Sequence, residues 1–350
     1  MQVSDFDYEL PRDLIADHPA QPRSSSRLLE LTAGGALRDR RMDAFPDLLQ
    51  VEDLRTWFPI RRGLFRRTVG YVRAVDGVDL AIEQGMSLAL VGESGCGKTT
   101  VGRSILCLER PREGRVWYDG VDLLRLPAQE LRPYRSDLQI VFQDPMASLN
   151  PRMRVRDAIA EGMHSFGIGA SESERTDRVA ALLERVQLDP RQMWRYPHEF
   201  SGGQRQRLCV ARALAVEPKL IICDEAVSAL DVSIQAQILN LLGELQEDLG
   251  LTYLFITHDL SVVRYLADEV AVMYLGQIVE HGGTERIFEE PQHPYTRGLL
   301  AAVPSVDPER RSAAAKVLGD VPSPANPPPG CRFHTRCPEA FDRCRQEAPE

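Results

Sequence analysis

The sequence predicts an α/β domain, and three observations carry that expectation. Across residues 49–290, short β-branched runs alternate with amphipathic helical ones, the order from which helix-flanked sheets are built. One apolar run leads into a glycine-rich loop with a helix behind it. Another apolar run ends in two adjacent acids, and open α/β sheets gather such chemistry at the carboxyl ends of their strands.

Taken in order, Val72–Leu80 and Ser87–Val91 read as strands, and Lys98–Leu106 as the helix that begins on the glycine loop. Leu138–Phe142 is a strand. Asp177–Val186 is a helix with Val179, Leu182, Leu183 and Val186 on one face. Gln204–Ala215 is a second helix, offering Leu208, Val210, Ala211 and Leu214 for packing. Leu220–Cys223 is a buried strand, Val232–Leu249 a long helix and Thr252–Thr257 a further strand. Before this domain, Pro11, Pro19, Pro22 and Pro46 break residues 1–48 into short mixed segments. After it comes a tail from Pro291, helical around Tyr295–Ala302, then a proline-rich turn region at Asp320–Gly330 and a cysteine cluster. The expected division is therefore 1–48, 49–290 and 291–350. Internal repeats are not apparent.

At 43% hydrophobic and 27% charged residues, the composition is that of a water-soluble globular chain. Runs such as Leu220–Cys223 and Ala271–Tyr274 fall far below the ~18–20 apolar residues that cross a bilayer. Asp5, Asp7 and Glu9 stand where a signal peptide would need apolar residues, so the chain is expected in the cytoplasm. Contact with a membrane would have to go through a partner. A net charge of −9 argues against a nucleic-acid surface. Only Lys98, Lys219 and Lys316 among the 42 basic residues are lysines, and Lys98 alone sits in a glycine-rich loop.

That loop, Gly92-Glu93-Ser94-Gly95-Cys96-Gly97-Lys98-Thr99, fits the phosphate-loop pattern, with the strand before it and the helix after it that the pattern requires. Glycines let successive backbone N–H groups turn inward around an anion. The helix that follows, through Thr100, aims its unpaired N–H groups at the same phosphates. Lys98 is expected to reach the β and γ phosphates of ATP, and the Thr99 hydroxyl to ligate Mg²⁺. The second half of the site is Leu220-Ile221-Ile222-Cys223-Asp224-Glu225. A strand apolar on both faces is buried, and unpaired carboxylates at its end would be expensive without a function. Asp224 is expected to hold Mg²⁺ and Glu225 to polarise the water that attacks the γ-phosphate.

Phe200-Ser201-Gly202-Gly203-Gln204, at the start of a helix, resembles the signature of the nucleotide-binding subunits of ATP-binding-cassette transporters. The resemblance implies a phosphate-loop NTPase of that cassette type as the fold class, with a helical subdomain near residues 145–215, an antiparallel β subdomain and a cysteine-containing carboxyl-terminal extension. Ser201 can cap its helix and present a positive dipole end to an anion. The resemblance implies that Ser201, Gly202, Gly203 and Gln204, with Asp231 of Ser228-Ala229-Leu230-Asp231, touch the ATP bound by a partner subunit, so that two nucleotides lie between two subunits. It also implies that Gln143 senses Mg²⁺ and the attacking water, and that His258 of Thr257-His258-Asp259 orients that water. Phe58 is the expected adenine-stacking aromatic, with Trp57 and Tyr71 as alternatives.

Val75-Asp76-Gly77-Val78, the run Phe142–Pro151, the run Asp224–Ser233 and His293-Pro294-Tyr295-Thr296 resemble the dipeptide, oligopeptide and nickel importer branch, specifically its F-type ATPase subunit, over residues 49–350. The resemblance implies a related second ATPase, two integral membrane permease subunits and, indirectly, an extracytoplasmic binding protein, with this chain on the cytoplasmic face of the membrane. Peptide, nickel and other small solutes stay open as cargo. A soluble cassette ATPase of DNA repair or translation is the rival reading; one phosphate loop, one signature and no long coiled-coil insertion speak against it.

Cys331, Cys337 and Cys344 are spaced C-x5-C-x6-C. Such thiolates in a cytosolic chain point to a soft metal or an iron–sulfur site, and the resemblance implies a [4Fe–4S] cluster with a fourth cysteine that is absent here. The expected role is a staple for the tail, because these residues are remote in sequence from the phosphate chemistry. Cys96, Cys107, Cys209 and Cys223 read as reduced, packed thiols. Finally, Met1–Pro11, Leu14-Ile15-Ala16, His18-Pro19 and Ser26–Leu29 resemble the amino terminus of the S-adenosylmethionine:tRNA ribosyltransferase-isomerase of queuosine synthesis. About 49 residues cannot hold that enzyme's fold, so a non-catalytic extension is expected.

Overall fold

The structure, a computed structural model, describes residues 27–31, 37–41, 48–62, 67–228, 230–302 and 319–349. The chain divides into two units, 1–47 and 48–350. In the first, β1 (Arg27–Leu31) and β2 (Leu37–Arg41) pair as an antiparallel hairpin, with Arg27 opposite Arg41 and Leu31 opposite Leu37. The motifs read in residues 1–26 lie outside the described residues.

The second unit opens with β3 (Leu49–Arg62), β4 (Arg67–Ile82), β5 (Ser87–Val91), α1 (Lys98–Ile105), β6 (Glu113–Tyr118) and β7 (Val121–Asp122). Two short helices follow, α2 (Ala128–Leu131) and α3 (Tyr134–Asp137), then β8 (Leu138–Val141) and α4 (Pro145–Ser148). Three longer helices come next: α5 (Val155–Phe166), α6 (Glu172–Arg185) and α7 (Gly202–Leu214). The chain returns through β9 (Leu220–Asp224), α8 (Val232–Leu249), β10 (Thr252–Thr257), α9 (Leu260–Leu266), β11 (Glu269–Tyr274) and β12 (Gln277–Gly283). It ends with α10 (Thr284–Glu289), α11 (Pro294–Ala301) and an irregular tail.

Strands β5, β9 and β10 are buried at every position, so they can sit only in a sheet covered on both faces. They do: the order is β12-β11-β5-β10-β9-β8, with four parallel pairings and one antiparallel pairing, that of the edge strand β12 with β11. Successive side chains alternate between two cores, as strand geometry demands. Leu88, Leu90, Ile222, Leu254 and Ile256 face α1 and the second sheet, whereas Ala89, Val91, Ile221, Tyr253 and Phe255 face the helices. The second sheet is antiparallel, ordered β4-β3-β6-β7. Helix α1 is buried beneath it through Val101 and Ile105.

Helices α5, α6 and α7 pack together through Ile159, Met163, Val179, Leu183, Leu208 and Val210 in the core that also takes the helix-side faces of the parallel strands. The expected helix at Asp177–Val186 starts more than a turn earlier, at Glu172, because the Ser171 hydroxyl accepts from the Glu174 N–H at 3.1 Å and caps it there. Tyr295 of α11 and Phe333 of the tail enter the same core, 0% and 1% exposed. The tail is therefore built into the domain.

Candidate functional site

Four strands that are neighbours in the sheet, β5, β10, β9 and β8, deliver the site residues from their carboxyl ends. The registers align those ends: Thr257 lies beside Val91, Ile256 beside Asp224 and Val141 beside Cys223. Loop 92–97, Glu225 and His258 follow directly, and Gln143 follows β8 after Phe142.

Backbone geometry accounts for two of the loop's glycines. Gly97 has φ 114°, and an added Cβ would collide with the Ala74 carbonyl; one at Gly92 would collide with that of Met273. The loop is thus wedged between β4 and the end of β11, where side chains have no room. Lys98 opens α1 and is 5% exposed; its ammonium donates to the carbonyls of Gly92 at 2.7 Å and Glu93 at 3.0 Å. The Cys96 thiol lies beneath, its pKa raised by burial. Glu93, expected among the loop's phosphate contacts, is tied to the tail. Its N–H donates to the Tyr295 hydroxyl at 2.9 Å, and its carboxylate accepts from both terminal nitrogens of Arg336 at 2.8 and 3.0 Å. Both groups are therefore committed to the tail.

The Thr99 hydroxyl donates to Asp224 Oδ1 at 2.8 Å. Asp224 is 6% exposed, and burial raises its pKa, opposed by the Thr99 hydrogen bond. Glu225 turns back with φ 49°, its N–H bonded to Ile256 O at 2.8 Å. Its Oε2 accepts from Gln143 Nε2 at 2.7 Å and its Oε1 lies 3.3 Å from His258 Nδ1. Three residues read separately along the sequence thus meet at one carboxylate. The next residue, Asp259, starts α9 by accepting from the Ser261 N–H at 2.9 Å and is held by Gln235 of α8 at 3.1 Å.

Ser201 begins α7 with a reciprocal cap: its hydroxyl accepts from the Gln204 N–H at 3.3 Å, and Gln204 Oε1 accepts from the Ser201 N–H at 3.0 Å. Gly203 is packed so closely on Ile234 that a Cβ would collide with it. Among the described residues, no hydrogen bond joins 201–204 to 92–99. Asp231 is exposed at the start of α8. Phe58 is 38% exposed and makes no ring contact among the described residues. Trp57 is engaged: its Nε1 donates to Asp76 at 3.0 Å, and Arg73 and Arg112 lie over its ring. Tyr71 packs against that tryptophan.

Cys331, Cys337 and Cys344 are free and line one cavity of about 800 Å³ with His281 and His293. Among the described residues, no three His, Cys, Asp or Glu side chains are grouped to hold a metal ion. His334 is turned onto its own turn, Nδ1 2.8 Å from Cys331 O. The three thiols share a cavity without forming a ligand set. The tail is remote from the phosphate loop in sequence, yet Arg336, between Cys331 and Cys337, is bonded to that loop. The spacing of 243 residues between the partners gave no signal of this contact.

A mainly parallel sheet with a phosphate loop after one strand, paired acids after another and a serine-capped signature helix defines an ATP-binding-cassette ATPase. Residues 75–228 match the sequence model of the family described as ABC transporter, and residues 279–344 that of the oligopeptide/dipeptide transporter C-terminal region. Residues 3–55 match the queuosine biosynthesis protein family, as the amino-terminal resemblance led us to expect. The oligopeptide transport ATP-binding protein AppF of Bacillus subtilis is 52% identical over 307 residues, covering 87% of this chain and 93% of that protein. OppF of Salmonella typhimurium, with the same description, is 50% identical over 306 residues, covering 86% and 92%. The dimeric ABC transporter cassette MJ0796 superposes with a TM-score of 0.60 at 28% identity, covering 67% of this chain and 98% of that one. The cbiO1 subunit of a Clostridium perfringens ABC transporter complex gives 0.59 at 28% identity, covering 70% and 91%. The chain belongs to the ATP-binding proteins of the oligopeptide and dipeptide ABC transporters.

Proposed function

We propose that this chain hydrolyses ATP to drive import of a peptide through a multi-subunit transporter, and that Gly92–Thr100, Gln143, Asp224, Glu225 and His258 do the chemistry. The observation that carries the proposal is the meeting of Gln143 and His258 at Glu225, next to the Thr99–Asp224 pair. The loop amides and the Lys98 ammonium bind the phosphates, Lys98 exchanging its carbonyl partners for phosphate oxygens. Thr99, Asp224 and Gln143 offer hard oxygen donors of the kind Mg²⁺ takes, and the bound ion neutralises phosphate charge. Glu225 accepts the proton of the attacking water, while Gln143 and His258 keep its carboxylate aimed. Phe58, with its free face, stacks on adenine.

In this reading Ser201–Gln204 and Asp231 complete the nucleotide site of a second, related ATPase subunit. The exposed Ser201 at the start of α7 and the dimeric relative support that arrangement. Two membrane permeases, and through them an extracytoplasmic binding protein, complete the assembly, with this chain at the cytoplasmic face of the membrane. Among the described residues, no helix is long and apolar enough to cross a membrane itself. Residues 1–47 are a non-catalytic extension, residues 48–290 the cassette and residues 291–350 an importer-type tail. Affinity capture of the tagged chain from detergent-solubilised membranes tests this: two polytopic proteins and a second ATPase are expected, and ribosomes or DNA in their place would overturn it. A [4Fe–4S] cluster on the tail cysteines is tested separately by iron and sulfide analysis of anaerobically purified protein, and iron-free protein ends it.

A further inference from the structure

The tail reaches the phosphate loop at two places. Arg336 grips the Glu93 carboxylate with both terminal nitrogens, its side chain 7% exposed and that of Glu93 27%. The same arginine lies against Tyr274, and its charged form is favoured first by the Glu93 bond. Tyr295, fully buried, takes the Glu93 N–H through its hydroxyl. The second contact is indirect. Arg332 donates to Leu275 O and pairs with Asp76 inside the protein. The adjacent Gly276 N–H bonds Cys96 O at 2.8 Å, and Gly276 O accepts from the Asp76 N–H at 2.9 Å. Between the two arginines, Phe333 packs on Tyr274 and Tyr295 with ring centroids 5.3 Å apart in each case. One short turn of the tail therefore holds the loop at its second residue and, through the 275–276 turn, at its fifth.

Glu93 matters because its carbonyl is also a rest for Lys98. Its backbone conformation helps to set the amides that follow. Fixing it before the nucleotide arrives lowers the ordering cost of binding, as any preorganised site does. We propose that Arg336 and Tyr295 are positioning residues for ATP: the carboxyl-terminal extension clamps the phosphate loop through Glu93 and keeps it in its phosphate-binding shape. This rests on Gly92–Thr99 being the nucleotide loop, so the test carries a variant that probes that reading alone.

The measurement is equilibrium binding of Mg·ATP to the full-length chain, with thermal unfolding run on each variant. Arg336→Gln removes a buried, charge-assisted, two-pronged contact and is expected to weaken ATP about tenfold. Arg336→Lys keeps the charge without the fork and falls between, which preserves the test if the glutamine variant folds poorly. Glu93→Gln alone should give a similar loss, and the double variant no more than either single one, because both remove one shared interaction. Arg297→Gln breaks the exposed 2.7 Å pair with Glu339, which ties α11 to the tail away from the loop; it should leave affinity unchanged. Native-like ATP binding by both Arg336 variants, or losses that simply add in the double variant, would overturn the clamp. If Lys98→Ala also bound ATP normally, the nucleotide-loop reading itself would fall instead.

Discussion

Replacing Glu225 with Gln separates catalysis from binding, because the surroundings of that carboxylate accept an amide. Gln143 Nε2 donates to Oε2 at 2.7 Å, and a glutamine carbonyl can take the same bond. On the other side the new NH₂ faces His258 Nδ1, now 3.3 Å from Oε1, which can accept when the ring is neutral. The backbone, held at φ 49° by the bond to Ile256 O, has no reason to move. What disappears is the base. Proton acceptance by a positioned side chain is worth roughly 10²–10⁴ in rate, or about 3–5 kcal/mol of barrier. Single-turnover hydrolysis in the assembled transporter should fall by that factor, while Mg·ATP affinity stays within about threefold and the two ATPase subunits remain closed on unreacted nucleotide. Turnover within about threefold of the unaltered complex would remove Glu225 from its role.

Burial raises the Asp224 pKa, so above its ordinary range the folded state holds that proton more tightly than the unfolded chain does. Stability attributable to this group is therefore greatest at low pH and declines as pH rises through the raised value. Asp224→Asn, which can still accept from Thr99, should raise the apo melting temperature at pH 7 and flatten its acid-side pH dependence, yet abolish the Mg²⁺ dependence of ATP binding; a lower melting temperature would contradict this. Phe58→Ala should weaken ATP by about 1–3 kcal/mol, the worth of a base stacked on an aromatic ring. Trp57→Ala should instead lower thermal stability, since its ring joins Asp76, Arg73 and Arg112, and the reverse pattern would reassign the adenine platform. Removing residues 1–47 should leave Mg·ATP affinity unchanged, and its loss would show that the extension serves the cassette.

Strong local signals account for what was legible in the sequence. Ser87–Val91, Val232–Leu249 and Thr252–Thr257 fall where periodicity and apolar runs placed them. The long strand Leu49–Arg62 was not foreseen, because repeated register shifts against β4 and a left-handed Asp53 interrupt the alternation that would have revealed it. Lys98, Thr99, Asp224 and Glu225 could be read from spacing and chemistry. Gln143 and His258 needed the family resemblance, since a lone glutamine or histidine after a strand has no pattern of its own. The tail's grip on Glu93 could not be read at all. It depends on sheet order bringing Arg336 back across the domain, a tertiary fact that no local window contains.

The most direct measurement is calorimetric titration of ATP into the folded chain, with and without Mg²⁺, beside the Lys98→Ala variant. Saturable binding that is strengthened by Mg²⁺ and lost in the variant is expected from the loop and from the Thr99–Asp224 pair beside it. Equal affinity in native and variant protein, or no Mg²⁺-dependent binding by the native chain assembled with its partners, would contradict the assignment of this site.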